Sequence, residues 1–214
     1  MTELVTKKFQ LYYVYDPMCS WCWGYRPTWV ELQAALNNNL PDLEVVYTLG
    51  GLAPDSDEPM PKDMQQFLSS TWHKINAQLG TQFNFDFWTS CQPRRSTYPS
   101  CRACLIAREF GLEEQMIFAI QQAYYLQAQN PSDNSTLITL AGQIGIDETV
   151  FSEKLTASLS NQKLMSEIHN THSLPIRGFP SLVLSIDGNY QAVPLNYQDW
   201  KSSFEVISEM IKTK

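Results

Sequence analysis

A chain of 214 residues that is 43% apolar and 12% aromatic can build a sizeable packed core, as one domain or one domain carrying an insertion, which excludes a disordered protein. Its formal net charge is -7, with 15 Lys and Arg scattered among 22 Asp and Glu, so no basic stripe can neutralise phosphates and nucleic acid is excluded as a partner. No apolar run approaches the 18 residues of a membrane span, and the opening "MTELVTKKFQLYYVYD" lacks the order of a secretory leader. The expected setting is therefore the cytoplasm, away from membranes, where five cysteines stay mostly reduced.

In chain order, Phe9 to Tyr15, "FQLYYVY", is β-rich and stops at Asp16-Pro17, as a buried strand does. Trp21, Tyr25, Trp29, Leu32 and Leu36 then recur at helical intervals, with Pro27 expected to kink this helix rather than end it. Asn37-Asn38-Asn39 closes it, and Leu43 to Leu49, "LEVVYTL", reads as a second strand. "GGLAPDSDEPMP", Gly50 to Pro61, is a loop and the best outgoing boundary. Helices are expected over 62–79, over 99–110 with Gly111 as stop signal, and over 113–129. Three more follow over 134–144, over 147–159 behind a cap at Asp147, and over 161–172. Past Pro175 the period returns to two: "PSLVLSIDGNYQAVPL" gives two strands joined at Asp187-Gly188, a strong hairpin signal. An amphipathic helix, 197–214, ends the chain.

Two strands joined by a helix form a right-handed parallel pair, and an added hairpin makes a mixed four-stranded sheet with helices on both faces. The fold class is thus α/β, with 1–58 plus 160–214 forming the sheet domain and 59–159 inserted as an all-helical block.

Between the first strand and the first helix lies "YDPMCSWCWG". A bare CxxC leaves redox cycling and metal binding both open. Here Cys19 falls where a strand hands over to a helix N-terminus, whose unpaired N–H groups and dipole favour a thiolate. Thiolates are the species that attack disulfides. Cys22 follows one turn later and faces inward, placed to attack a mixed disulfide on Cys19 and release the product. Zinc would need two more ligands; Cys101 and Cys104 offer them, but about eighty residues away in an apolar helix, where cysteines usually serve as small core residues. Redox work is the expectation, and no metal.

These residues resemble a known family. "DPMCSWCWG", with Pro27 five positions after the second cysteine, is similar to the active site of thioredoxin-fold oxidoreductases, and most of all to the DsbA-like branch and its cytosolic FrnE-like members. "LGGLAPD" after the second strand, a helical insertion of about a hundred residues and "IRGFPSLVL" at the third strand extend the likeness over essentially the whole chain. The resemblance implies a thioredoxin-like fold and a thiol–disulfide oxidoreductase that reduces or isomerises disulfides. Cys19 would be its nucleophile and Cys22 its resolving thiol, with Pro180 as a cis-proline facing them. Phe179 and Trp21 would join Pro180 in holding substrate. It implies protein or small-molecule disulfides as substrates, a thiol reductant as partner, and no cofactor, with glutathione as a candidate co-substrate.

The chain also departs from the family. Many relatives carry a buried acid six residues before the first cysteine, where this sequence has Tyr13; Asp16 is expected to be a turn residue ahead of Pro17. Cys101 is expected to be buried filler, Cys91 a free thiol in a polar loop, Trp23 a core residue, and His169 and His172 surface residues. The alternatives are a glutathione-dependent transferase or isomerase of the kappa type, whose members generally lack both cysteines, and a zinc-binding module.

Overall fold

The computed structural model describes residues 9–213; the stretch 1–8 read for a leader, and Lys214 at the end of the expected last helix, lie outside the described residues. Strand β1 (Phe9–Tyr15) leads into helix α1 (Ser20–Asn39) and strand β2 (Leu43–Leu49). Seven helices follow before the next strand: α2 (Lys62–Leu79), α3 (Phe87–Ser90), α4 (Tyr98–Glu109), α5 (Glu113–Tyr125), α6 (Asn134–Gln143), α7 (Glu148–Thr156) and α8 (Ser158–Thr171). Strands β3 (Ser181–Ile186) and β4 (Asn189–Val193) and helix α9 (Trp200–Lys212) complete the chain.

The four strands form one sheet in the order β2-β1-β3-β4. β1 runs parallel to β2, with Phe9 opposite Leu43 and Tyr15 opposite Leu49, and antiparallel to β3. A central strand is covered on both faces, and the alternation of β1 shows how. Tyr13 stacks on Trp29 of α1 at 4.2 Å between ring centroids, while Tyr12 faces a cavity of about 750 Å³ lined from α8. The hairpin turns where the sequence places it, with φ of 49° at Asp187 and 80° at Gly188; two positive φ values are what a right-twisted two-residue hairpin demands.

α1 runs unbroken through Pro27. α3 was not foreseen, because four residues are too few to show a period. One side chain of the helical block bridges three helices and the sheet. Arg108 of α4 binds Glu113 at 2.6 Å and Glu167 at 2.7 Å, and also donates to the carbonyl of Tyr47 in β2. Glu167 of α8 in turn accepts the backbone N–H of Leu49. This arginine, held above its usual range by those two carboxylates against burial, fixes α4, α5 and α8 on the end of β2 that borders the CxxC.

Candidate active site

The site starts at the end of β1. Oδ1 of Asp16 accepts the N–H of Met18 at 2.8 Å and its carbonyl accepts the N–H of Cys19 at 3.0 Å, which folds Asp16-Pro17-Met18 into a tight turn. Cys19 is thereby delivered as the N-cap of α1, with extended backbone and its carbonyl accepting Trp23 N–H. The residue is 6% exposed, and its sulfur donates to the carbonyl of Phe179 at 3.4 Å. The Phe179–Pro180 peptide is cis. The Phe179 ring rests on Gly50, just past β2, where any Cβ would overlap the ring; Gly50 is itself tied to the end of β1 by its N–H to the Tyr15 carbonyl. The first two strands and the entry to β3 thus converge on one sulfur.

Cys22 follows one turn later in α1, fully buried, and close enough to Cys19 for the two thiols to interact. Burial pushes its thiol well above the ordinary range, and the neighbouring Cys19 pushes it further. Both cysteines are free thiols.

The helical block closes over this pair. Trp72 of α2 donates its indole N–H to the Ser20 hydroxyl at 3.0 Å, and Tyr125 of α5 donates to the Met18 carbonyl at 2.8 Å. Trp21 sits half-buried at the rim, edge-on to Tyr197 at 5.3 Å, with the Lys74 ammonium over its face. Trp23 is half-buried rather than sealed in the core: it stacks on Tyr125 and donates to the Gln82 carbonyl.

Asp16 requires a correction. It does make the expected turn, but it is also completely buried. Its Oδ2 accepts the N–H of Leu52 at 2.8 Å, the hydroxyl of Thr97 at 2.7 Å and the thiol of Cys101 at 3.5 Å. Burial raises its carboxyl above the usual range while these donors pull it down. The sequence signal was only the pair Asp-Pro before the CxxC; the partners that make Asp16 special lie 36 to 85 residues away.

Cys101 is buried as expected yet joins this cluster. Cys104 is buried beside Tyr15 and Glu113. Cys91 is half-buried and donates to the Ala128 carbonyl. His169 is exposed, and His172 meets the Gly50 carbonyl at 3.2 Å through Nε2. Among the described residues no group of three or more His, Cys, Asp or Glu side chains is arranged to hold a metal ion, and no helix is long and apolar enough to cross a membrane.

A helix-capping dithiol set against the entry to β3, on a β2-β1-β3-β4 sheet with helices inserted after β2, is the architecture of a thioredoxin-fold protein of the disulfide-exchange class. Residues 10–199 match the DSBA-like thioredoxin domain, and the chain belongs to that family. Among solved structures, a Nitrosomonas europaea protein described as a candidate protein disulfide isomerase superposes with a TM-score of 0.82 at 23% identity, over 96% of this chain and 98% of that one. The cytosolic disulfide reductase DsbM of Pseudomonas aeruginosa superposes with a TM-score of 0.74 at 23% identity, over 96% and 100%; its structure with GSH matches as well. These likenesses carry the fold. The ClpXP adapter protein SpxH of Halalkalibacterium halodurans is 22% identical over 187 residues, 85% of this chain, which spans 60% of the length of that relative.

Proposed function

We propose that this protein is a cytoplasmic thiol–disulfide oxidoreductase that reduces or isomerises disulfides by cycling Cys19 and Cys22 between dithiol and disulfide. The observation that carries the reading is the placement of the Cys19 sulfur at the N-terminus of α1, 3.4 Å from the Phe179 carbonyl and one helical turn before the buried Cys22. Cys19 attacks a substrate disulfide and forms a mixed disulfide, releasing one thiolate. Cys22 then loses its proton and attacks Cys19, and the second thiolate leaves. Asp16, the buried carboxylate of the turn whose carbonyl accepts the Cys19 N–H just ahead of Cys22, is the acceptor of that proton. Phe179, whose carbonyl meets the reacting sulfur, the cis-linked Pro180 and Trp21, two residues after Cys19 in α1, hold the substrate, either a protein segment or a small disulfide. A thiol such as glutathione returns the disulfide to dithiol; the likeness to a reductase also solved with GSH supports this choice of reductant.

The test is reduction of insulin disulfides with glutathione as electron donor. Turnover is expected in the native protein and lost in both Cys19→Ser and Cys22→Ser. Turnover that survives Cys22→Ser would replace the dithiol cycle with glutathione transfer or isomerisation of the kappa type on the same scaffold.

A further inference from the structure

We propose that Thr97 and Cys101, which reach the site from the helical block, are positioning residues that set when Cys22 can resolve the mixed disulfide, by keeping Asp16 ready to take its proton. The inference rests on the reading of Cys19 and Cys22 as a cycling dithiol.

Four donors meet the Asp16 carboxylate. Two are backbone N–H groups, of Met18 and Leu52, which the loop geometry supplies. The other two are the Thr97 hydroxyl at 2.7 Å and the Cys101 thiol at 3.5 Å, both on Oδ2 and both carried by the start of α4 and the residue before it. The Thr97 hydroxyl is aimed. Ala53 donates its N–H to that oxygen at 3.1 Å, and for the hydroxyl proton Asp16 Oδ2 at 2.7 Å is a nearer acceptor than the Ala53 carbonyl at 3.4 Å. A carboxylate sealed from water stays ionised only while hydrogen bonds replace its hydration. The titratable groups facing Asp16 are Cys22 from α1, Cys101 and Cys104 from α4, Tyr98 at the start of α4, and Tyr124 from α5. All five are neutral acids at pH 7. Hydrogen bonds therefore hold the charge, and half of them come from the helical block.

The chemistry is the second half of the cycle. The proton of Cys22 passes to the Asp16 carboxylate, the Cys22 sulfur bonds to Cys19, and the bond from Cys19 to the substrate sulfur breaks. The substrate leaves as a thiolate with the electron pair; the protein dithiol is oxidised and the substrate disulfide reduced. Losing a donor makes Asp16 harder to ionise, so resolution shifts to higher pH. Attack by Cys19 is untouched.

The two halves can be read separately. Reduced protein in a Cys91→Ser background is mixed with dithiobis(nitrobenzoate), which releases one coloured thiolate on attack by Cys19 and a second on resolution by Cys22. Thr97→Val is expected to raise the pH midpoint of the second phase by about one unit, a slowing of about tenfold below the midpoint. Cys101→Ala should raise it by about half a unit, and Cys101→Ser, which restores a donor, should return it to the native value. The first phase keeps its rate and pH profile. Because Thr97→Val also strips the Ala53 N–H of its acceptor, the two Cys101 variants carry the test if it unfolds, and Thr97→Ser, which keeps the hydroxyl, is expected to match the native protein. An unshifted second phase in folded Cys101→Ala and Thr97→Val would overturn the inference and leave the proposed function standing. A first phase that persists in Cys19→Ser would overturn the proposed function instead.

Discussion

Cys22 has no surface of its own, so it meets a disulfide only through Cys19. Removing it should therefore leave attack intact and stop the cycle halfway. Cys22→Ser incubated with glutathione disulfide is expected to accumulate one glutathione on Cys19, whereas Cys19→Ser accumulates none there; intact mass with peptide mapping reads the outcome, and an adduct mapping to Cys101 or Cys104 would contradict the geometry. Both cysteines were legible because two residues between them, at a strand-to-helix junction, already fix their relation. Asp16 was only half legible. The turn it makes is local and its neighbours announce it, but its burial is created by Leu52 and Thr97, which arrive from other segments. Thr97 lay in a stretch, between the first two long inserted helices, that no periodicity marked.

At the scale of elements, the contact that places the Phe179 carbonyl against Cys19 is steric. Gly50 follows β2 directly, and the Phe179 ring occupies the volume a side chain would need. Gly50→Ala must push that ring, and with it the entry to β3, away from the sulfur. Overpacking of this kind costs about 1–3 kcal/mol. The variant is expected to unfold at lower urea and to lose most of the proposed disulfide-reducing turnover; Gly178→Ala, where an added Cβ meets nothing within 4 Å, should match the native protein in both. Equal behaviour of the two variants would remove Phe179 from the account. Elements with a strong period or turn were read correctly: β1, α1, β2 and the Asp187-Gly188 hairpin. α3 escaped because its four residues, Phe87–Ser90, are held by tertiary packing of Phe87 and Trp88 on Trp72. Its cause is tertiary, and the local sequence does not carry it.

For the whole molecule, burial disfavours the charged form of several acids that ordinarily titrate above neutrality. Cys22, Cys101 and Cys104 are all fully buried with thiols pushed well above their ordinary range, first by desolvation. Tyr13, Tyr15 and Tyr125 are displaced the same way. The sign follows from linkage. Each group binds its proton more tightly folded than unfolded, so its contribution is complete below the unfolded pKa and is lost as pH rises toward the folded one. For the thiols the loss begins at about pH 8.5, and for the tyrosines at about pH 10. Each group adds a slope of up to about 1.4 kcal/mol per pH unit between its unfolded and its folded pKa, and the three thiols act in the same direction. Urea unfolding under reducing conditions should show a midpoint that is flat from pH 7 to 8 and falls steeply above 9. Cys101→Ala and Cys104→Ala, each removing one ionisable thiol, should make that fall shallower even where they lower the midpoint at pH 7. A midpoint unchanged up to pH 10 would mean that these sulfurs reach water in the folded protein, and the sealed pocket around Cys22 and Asp16 would fail with them.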